Sequence, residues 1–116
     1  MRSLKVVKVT SDIIEFNDGT ILYSDHNQDC CENHYLYLEE LTLNDFEGLF
    51  FDLSNDKFFK KIEGYGIELV PIFGHSVKIA GHGYNNGYYG TNLDLCIRLG
   101  EFFRKYDITE CQIIND

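Results

Sequence analysis

Ile13-Ile14-Glu15-Phe16-Asn17-Asp18-Gly19-Thr20-Ile21-Leu22-Tyr23-Ser24 reads as two short strands joined by a tight turn. β-Branched and aromatic residues suit a pleated, half-buried surface, and Asn17-Asp18-Gly19 supplies the positive-φ positions that a hairpin needs. Residues 5–10 have the same character, so the chain opens with three strand segments, 5–10, 13–17 and 21–24.

Further along, Tyr35 and Tyr37 alternate with Leu36 and Leu38, a period of two that predicts a strand over 34–39 with both faces partly covered. Thr42 is placed to cap a short helical turn, with Asp45 three residues on and Leu43, Phe46 and Phe50 spaced for one face. Gly48 limits it to about one or two turns. Strand patterns return at 57–63, 66–73, 76–80 and 88–99. In the last of these Leu93, Leu95, Ile97 and Leu99 share one face, which leaves Asn92, Asp94, Cys96 and Arg98 on the other, so Cys96 is expected on the polar side. Residues 101–106 read as a helical turn and 108–114 as a final edge strand. The expected fold is mainly β, a small antiparallel β-sheet domain with one or two short helices, with α+β as the alternative.

The 116 residues match one ordinary domain, spanning 1–116, and there is no internal repeat, low-complexity tract or linker; Pro71 is the only proline. A hydrophobic fraction of 44% and an aromatic fraction of 15%, all Tyr and Phe, are too high for a disordered chain despite a net charge of −9. Ten basic residues against nineteen acidic ones leave no broad cationic face for phosphates, so direct nucleic-acid binding is disfavoured. A basic protein partner, or one with a basic nucleic-acid channel, fits this charge, and so does acidity that serves only solubility. No apolar run is long enough for a membrane span, and the N-terminus lacks the pattern of a signal peptide. The expected location is the cytoplasm.

Ligand-type side chains are densest in Asp25-His26-Asn27-Gln28-Asp29-Cys30-Cys31-Glu32-Asn33-His34. Thiolate and imidazole together form the donor set that zinc prefers. His26 and Cys30 share a side in either a helical or an extended segment, whereas Cys31 joins them only in an irregular loop. The predicted zinc ligands are therefore His26, Cys30 and Cys31, with the fourth left open among His34, His82, Cys96 and an acidic residue. The alternative is a polar loop with two structural thiols. Adjacent cysteines in a chain without an export signal do not suggest a disulfide framework.

Residues 81–90 form a second cluster, with four glycines and Asn85-Asn86-Gly87. No Lys, GxGxxG or phosphate-loop spacing accompanies the glycines, so a tight hairpin is expected there. It carries Tyr88 and Tyr89, which have the character of partner-binding anchors, although a core role for one is equally ordinary. A cysteine hydrolase drawn from Cys31, His82 or His75, and Asp94 lacks a helix N-terminus to lower the thiol pKa. No catalytic residue is assigned.

Two segments, His26-Asn27-Gln28-Asp29-Cys30-Cys31-Glu32 and Ile79-Ala80-Gly81-His82-Gly83-Tyr84-Asn85-Asn86-Gly87-Tyr88-Tyr89, resemble the paired signatures of a small family of phage and bacterial domains with no assigned reaction. That family joins an His-x-Gln-Asp-Cys-Cys-Glu block to an Asn-Gly-Tyr-Tyr turn about fifty residues later, and the likeness covers the chain from Asp18-Gly19 to Leu95. His34 and His82 depart from the family pattern, which usually has an aliphatic and an aromatic residue there. The resemblance implies an inhibitor of host defence, including CRISPR nucleases, because small acidic phage domains recur in that role. The combined expectation is a zinc-binding acidic protein that binds a host protein as a type II anti-CRISPR inhibitor. The competing readings are a small metal-dependent or cysteine hydrolase and a structural subunit of a phage particle.

Overall fold

The computed structural model describes residues 3–25, 33–54, 56–84 and 93–115. They contain β1 (Val6–Val9), β2 (Ile14–Phe16), β3 (Ile21–Asp25), β4 (Asn33–Leu36), β5 (Phe59–Ile62), β6 (Gly66–Leu69), β7 (Val77–Tyr84), β8 (Asp94–Leu99), β9 (Phe102–Asp107) and β10 (Ile113–Asn115). Two 3-10 turns, Leu43–Phe46 and Asp56–Phe58, complete them. The fold is mostly β, as the alternating sequence predicts.

One sheet runs β1-β2-β3-β8-β9, antiparallel throughout. The other runs β10-β7-β6-β5, with β4 also paired to β7, and only its β10 to β7 pairing is parallel. The opening hairpin forms where Asn17-Asp18-Gly19 places it, with Asp18 Oδ1 accepting the Thr20 N–H at 2.9 Å. Alternation then sorts the side chains. Ile14, Phe16, Leu22, Leu95 and Ile97 point from the first sheet, and Leu36, Ile67, Leu69, Val77 and Ile79 from the second, into one shared hydrophobic core. Each fully buried Leu, Ile or Phe contributes about 1.5 to 3 kcal/mol relative to exposure. That shared core holds the two sheets together.

Several elements differ from their sequence reading. Residues 101–106 are not helical. Gly100, at φ 58, turns β8 into β9, and all six β9 residues pair with β8. Alternate positions then find tertiary partners. The Arg104 guanidinium lies 5.6 Å from the Phe102 ring and 5.7 Å from the Tyr106 ring, and it donates to the Leu53 carbonyl. Tyr106 meets Phe58 at 5.8 Å and Phe59 at 5.0 Å between centroids. A helix would scatter these contacts around its axis.

The turn at Thr42 forms, with Asp45 Oδ2 accepting the Thr42 N–H at 2.8 Å, but it does not bury Leu43, Phe46 and Phe50 together. Only Phe46 goes inward. The backbone becomes extended at Glu47, so Leu49 and Phe51 enter the core with a period of two and Phe50 points out.

Cys96 is fully buried rather than on a polar, open face. Its cross-strand neighbours are Tyr23 and Lys105. The predicted strand over 66–73 stops at Leu69, ahead of Pro71, which has no N–H for a ladder. The 34–39 strand is regular only to Leu36, although Leu36 and Leu38 keep the alternation and are both buried.

The largest revision concerns Gly81-His82-Gly83-Tyr84. These residues continue β7 rather than opening a hairpin. A Cβ on Gly81 would collide with the Cys111 carbonyl oxygen, so this glycine marks a close backbone approach in a strand. Of the predicted final strand at 108–114, Ile108 is a buried residue before a turn. The regular part, β10, adds to the edge beside β7.

Candidate functional site

The segments singled out by sequence leave the sheets at neighbouring points. Asp25, the last residue of β3, stands directly opposite Asp94, the first of β8. Asn33, the first of β4, stands directly opposite Tyr84, the last of β7. Residues 26–32 therefore connect β3 to β4, and residues 85–92 lead from β7 towards β8. Both connections run between the same two strand pairs.

Each connection is tied at its base by a side chain. Ser24 Oγ accepts the Leu36 N–H at 3.0 Å, linking β3 to β4 across the first. At the end of the second, Thr109 Oγ1 accepts the Leu93 N–H at 3.2 Å and donates to Asp107 Oδ1 at 2.5 Å, while Leu93 O accepts the Ile108 N–H at 2.9 Å. Leu93 is fully buried, so this end of the second connection is fixed to the core.

Charge gathers along the same border. Asp25, Asp94 and Asp107 occupy consecutive positions across β3, β8 and β9. Like charges directly opposite one another weaken a strand pair. Lys105 Nζ lies 3.5 Å from Asp94 Oδ2 and offsets part of this. Two hydrogen bonds from Thr109, first from its side chain and then from its backbone, hold the Asp107 carboxyl below the ordinary carboxylate range. A depressed folded-state pKa gives stability that is present above the unfolded value and lost as pH falls through the folded one. Thr109→Val is expected to cost about 1 kcal/mol at neutral pH through the Leu93 N–H left unpaired. It is also expected to flatten the stability profile below about pH 4, where Asp107 is protonated in the unfolded chain. Urea denaturation across pH 2 to 7, roughly the carboxylate range, checks both. An acid limb as steep as the parent's would show that Thr109 does not hold the Asp107 charge.

An aromatic cluster lies beside the border on the outer face of β4 and β7. The His82 ring is 5.6 Å from the Tyr35 ring at 32° and 5.6 Å from the Tyr37 ring at 89°. Tyr35 is 38% exposed, enough to meet a partner. The Tyr37 phenol is raised above its ordinary value, chiefly by desolvation and then by the Glu40 and Glu39 carboxylates. It stays a neutral donor at physiological pH. The Tyr35 and Tyr37 alternation was visible in the sequence, but their meeting with His82 required β7 to continue past Ala80.

Among the expected ligands and anchors, His26, Cys30, Cys31, Tyr88 and Tyr89 lie outside the described residues, as do Gln28, Asp29, Glu32, Asn86 and Gly87. The open choices for a fourth ligand are now unequal. His34 is on β4, opposite Gly83, and His82 is two residues from the end of β7, so both positions adjoin the first connection. Cys96 is buried on the face of β8 away from Leu95 and Ile97. Cys111 is sealed in the core, and burial followed by the Glu110 carboxylate pushes its thiol pKa up. His75 precedes β7 at the opposite end from Tyr84, about 20 Å along the strand from His82. Among the described residues, no group of three or more His, Cys, Asp or Glu side chains is arranged to hold a metal ion. No helix among them is long and apolar enough to cross a membrane.

Comparison with protein-family models, curated proteins and solved structures gave no match.

Proposed function

We propose that this chain is a binding protein that inhibits a host defence nuclease of the type II CRISPR class, with zinc held by His26, Cys30 and Cys31 fixing its first connection. The observation that carries this reading is the common base of the two sequence signatures, on the paired ends of β3 with β8 and of β4 with β7. Segments about fifty residues apart thereby start from one border, beside the exposed Tyr35 and the half-buried His82 and Tyr37. Zinc in this arrangement is structural. Thiolate and imidazole donors close a short connection whose two ends the two sheets already hold.

The net charge of −9 suits a basic nucleic-acid channel or the lobe beside it, in the cytoplasm of a bacterial host. Affinity from Asp and Glu falls with salt, whereas the contribution of aromatic anchors does not. Tyr88→Ala, Tyr89→Ala or Tyr35→Ala is expected to cost about 1 to 3 kcal/mol of binding where the ring is a central contact. The deciding experiment incubates purified protein with several orthologous type II CRISPR nucleases, each with guide and target DNA. Target protection with the nuclease intact on gels supports the proposal. Degradation of the nuclease would mean catalysis, and no protection across the set, with no partner from host lysate, would end it.

A further inference from the structure

Away from that border, Phe73 is 83% exposed, beside Phe50 at 45% and Leu43 at 50%. The Phe73 ring stands out from a fixed backbone. Its residue forms an antiparallel bridge with Phe50, and the adjoining Ile72 N–H donates to Phe50 O at 2.7 Å. Gly74 follows at φ 99, where a Cβ would come within 2.9 Å of Leu49 Cδ2. The chain is thus held in a course that keeps the ring in water.

Next to this knob is an open hollow of about 280 Å³, walled by Leu43, Phe46, Leu49 and Phe50 on its apolar side and by Asn44 and Gly48 beside them. A cavity of about 150 Å³ holds a benzene ring, so the hollow has room for one phenyl group. Lys5 and Glu47 are both exposed and both border the hollow. Their charges cancel, which distinguishes this patch from the acidic chain around it. A basic partner gains nothing here from charge. A second copy, facing one lysine and one glutamate with the same pair, meets a complementary rim. An isologous contact also needs one patch to carry both halves of the fit, and this patch carries knob and hollow together.

We propose that the chain forms a two-fold dimer in which Phe73 of each copy enters the hollow bordered by Leu43 of the other. Two copies each bearing −9 repel at long range, so added salt strengthens this dimer, opposite to its effect on binding a basic partner. The test is sedimentation equilibrium of the full chain, with circular dichroism and thermal melts showing that each variant is folded. The parent is expected at twice the 13.5 kDa chain mass, more completely at high salt. Phe73→Asp alone and Leu43→Arg alone are each expected at the monomer mass. Mixed together they are expected to form a heterodimer, because one knob and hollow survive and the introduced aspartate faces the introduced arginine. A parent that stays monomeric up to about 1 mM would overturn the proposal. So would two folded variants that both remain dimeric, or a mixture of monomeric variants that does not pair.

Discussion

Gly66→Ala is expected to remove about 3 kcal/mol or more of unfolding free energy, a large part of what a domain of this size possesses. Gly66 opposes Ala80 where β6 meets β7. An added methyl would overlap the Ile79 carbonyl oxygen and lie 2.7 Å from Gly81 N and 2.9 Å from Ala80 C. All three are backbone atoms of one strand, so no side chain can rotate to relieve the collision. β7 must move instead, and it is the strand to which β4, β6 and β10 all pair. The bond from Gly81 N to Tyr65 O, 2.7 Å, lies at the point of strain. Gly64→Ala is the control. Its φ of +75° makes alanine strained, but the added methyl meets nothing within 4 Å, so the loss should stay at about 1 to 2 kcal/mol. Urea denaturation of the two variants measures the difference. Equal losses would mean that β6 and β7 separate easily enough to take up the added methyl.

These glycines show where local reading of the chain stops. The opening hairpin was legible because its information is local, with β-branched residues on either side of Asn17-Asp18-Gly19. The inward face of Leu93, Leu95 and Ile97 was legible because a period of two needs no knowledge of the partner strand. Gly81 and Gly83 looked like turn residues, since nothing nearby in sequence announces that Cys111 passes against Gly81 or that Gly83 stands between His34 and Ile114. Phe102-Phe103-Arg104-Lys105-Tyr106 looked helical because its charges obscured the alternation, and Leu53, Phe58 and Phe59, which reward it, are about fifty residues away. Cys96 was placed on the face away from Leu95 and Ile97, but a period of two says nothing of what covers that face. For the candidate site, the donor types in residues 25–34 were evident at once. The closeness of its base to that of the second signature was not, because it follows from β3 pairing with β8 and β4 with β7.

Replacing Cys30 or Cys31 by Ser is expected to have the second large effect, and it tests the metal proposal without reference to any partner. Protein purified without chelator should carry about one zinc per chain, and either variant well under half of that, because serine is a poor zinc ligand at neutral pH. The connection from Asp25 to Asn33 has its two ends held in separate sheets. Zinc that cross-links it binds the folded connection in preference to the unfolded chain, so its loss should lower the melting temperature by about 10 °C. The strand signal in circular dichroism should survive, since the core from Leu4 to Cys111 is assembled from the two sheets. Chelation of the parent should reproduce both changes, and zinc should reverse them. Cys111→Ser is the control, because its thiol is buried in the core. It should lose stability through an ill-suited buried hydroxyl and keep the metal. Nuclease protection should fall with zinc content across the series if the connection is part of the binding surface. Metal-free parent protein with unchanged melting would remove zinc from the account, leaving the two cysteines as packed thiols and the inhibitor proposal to rest on charge and aromatic contacts alone.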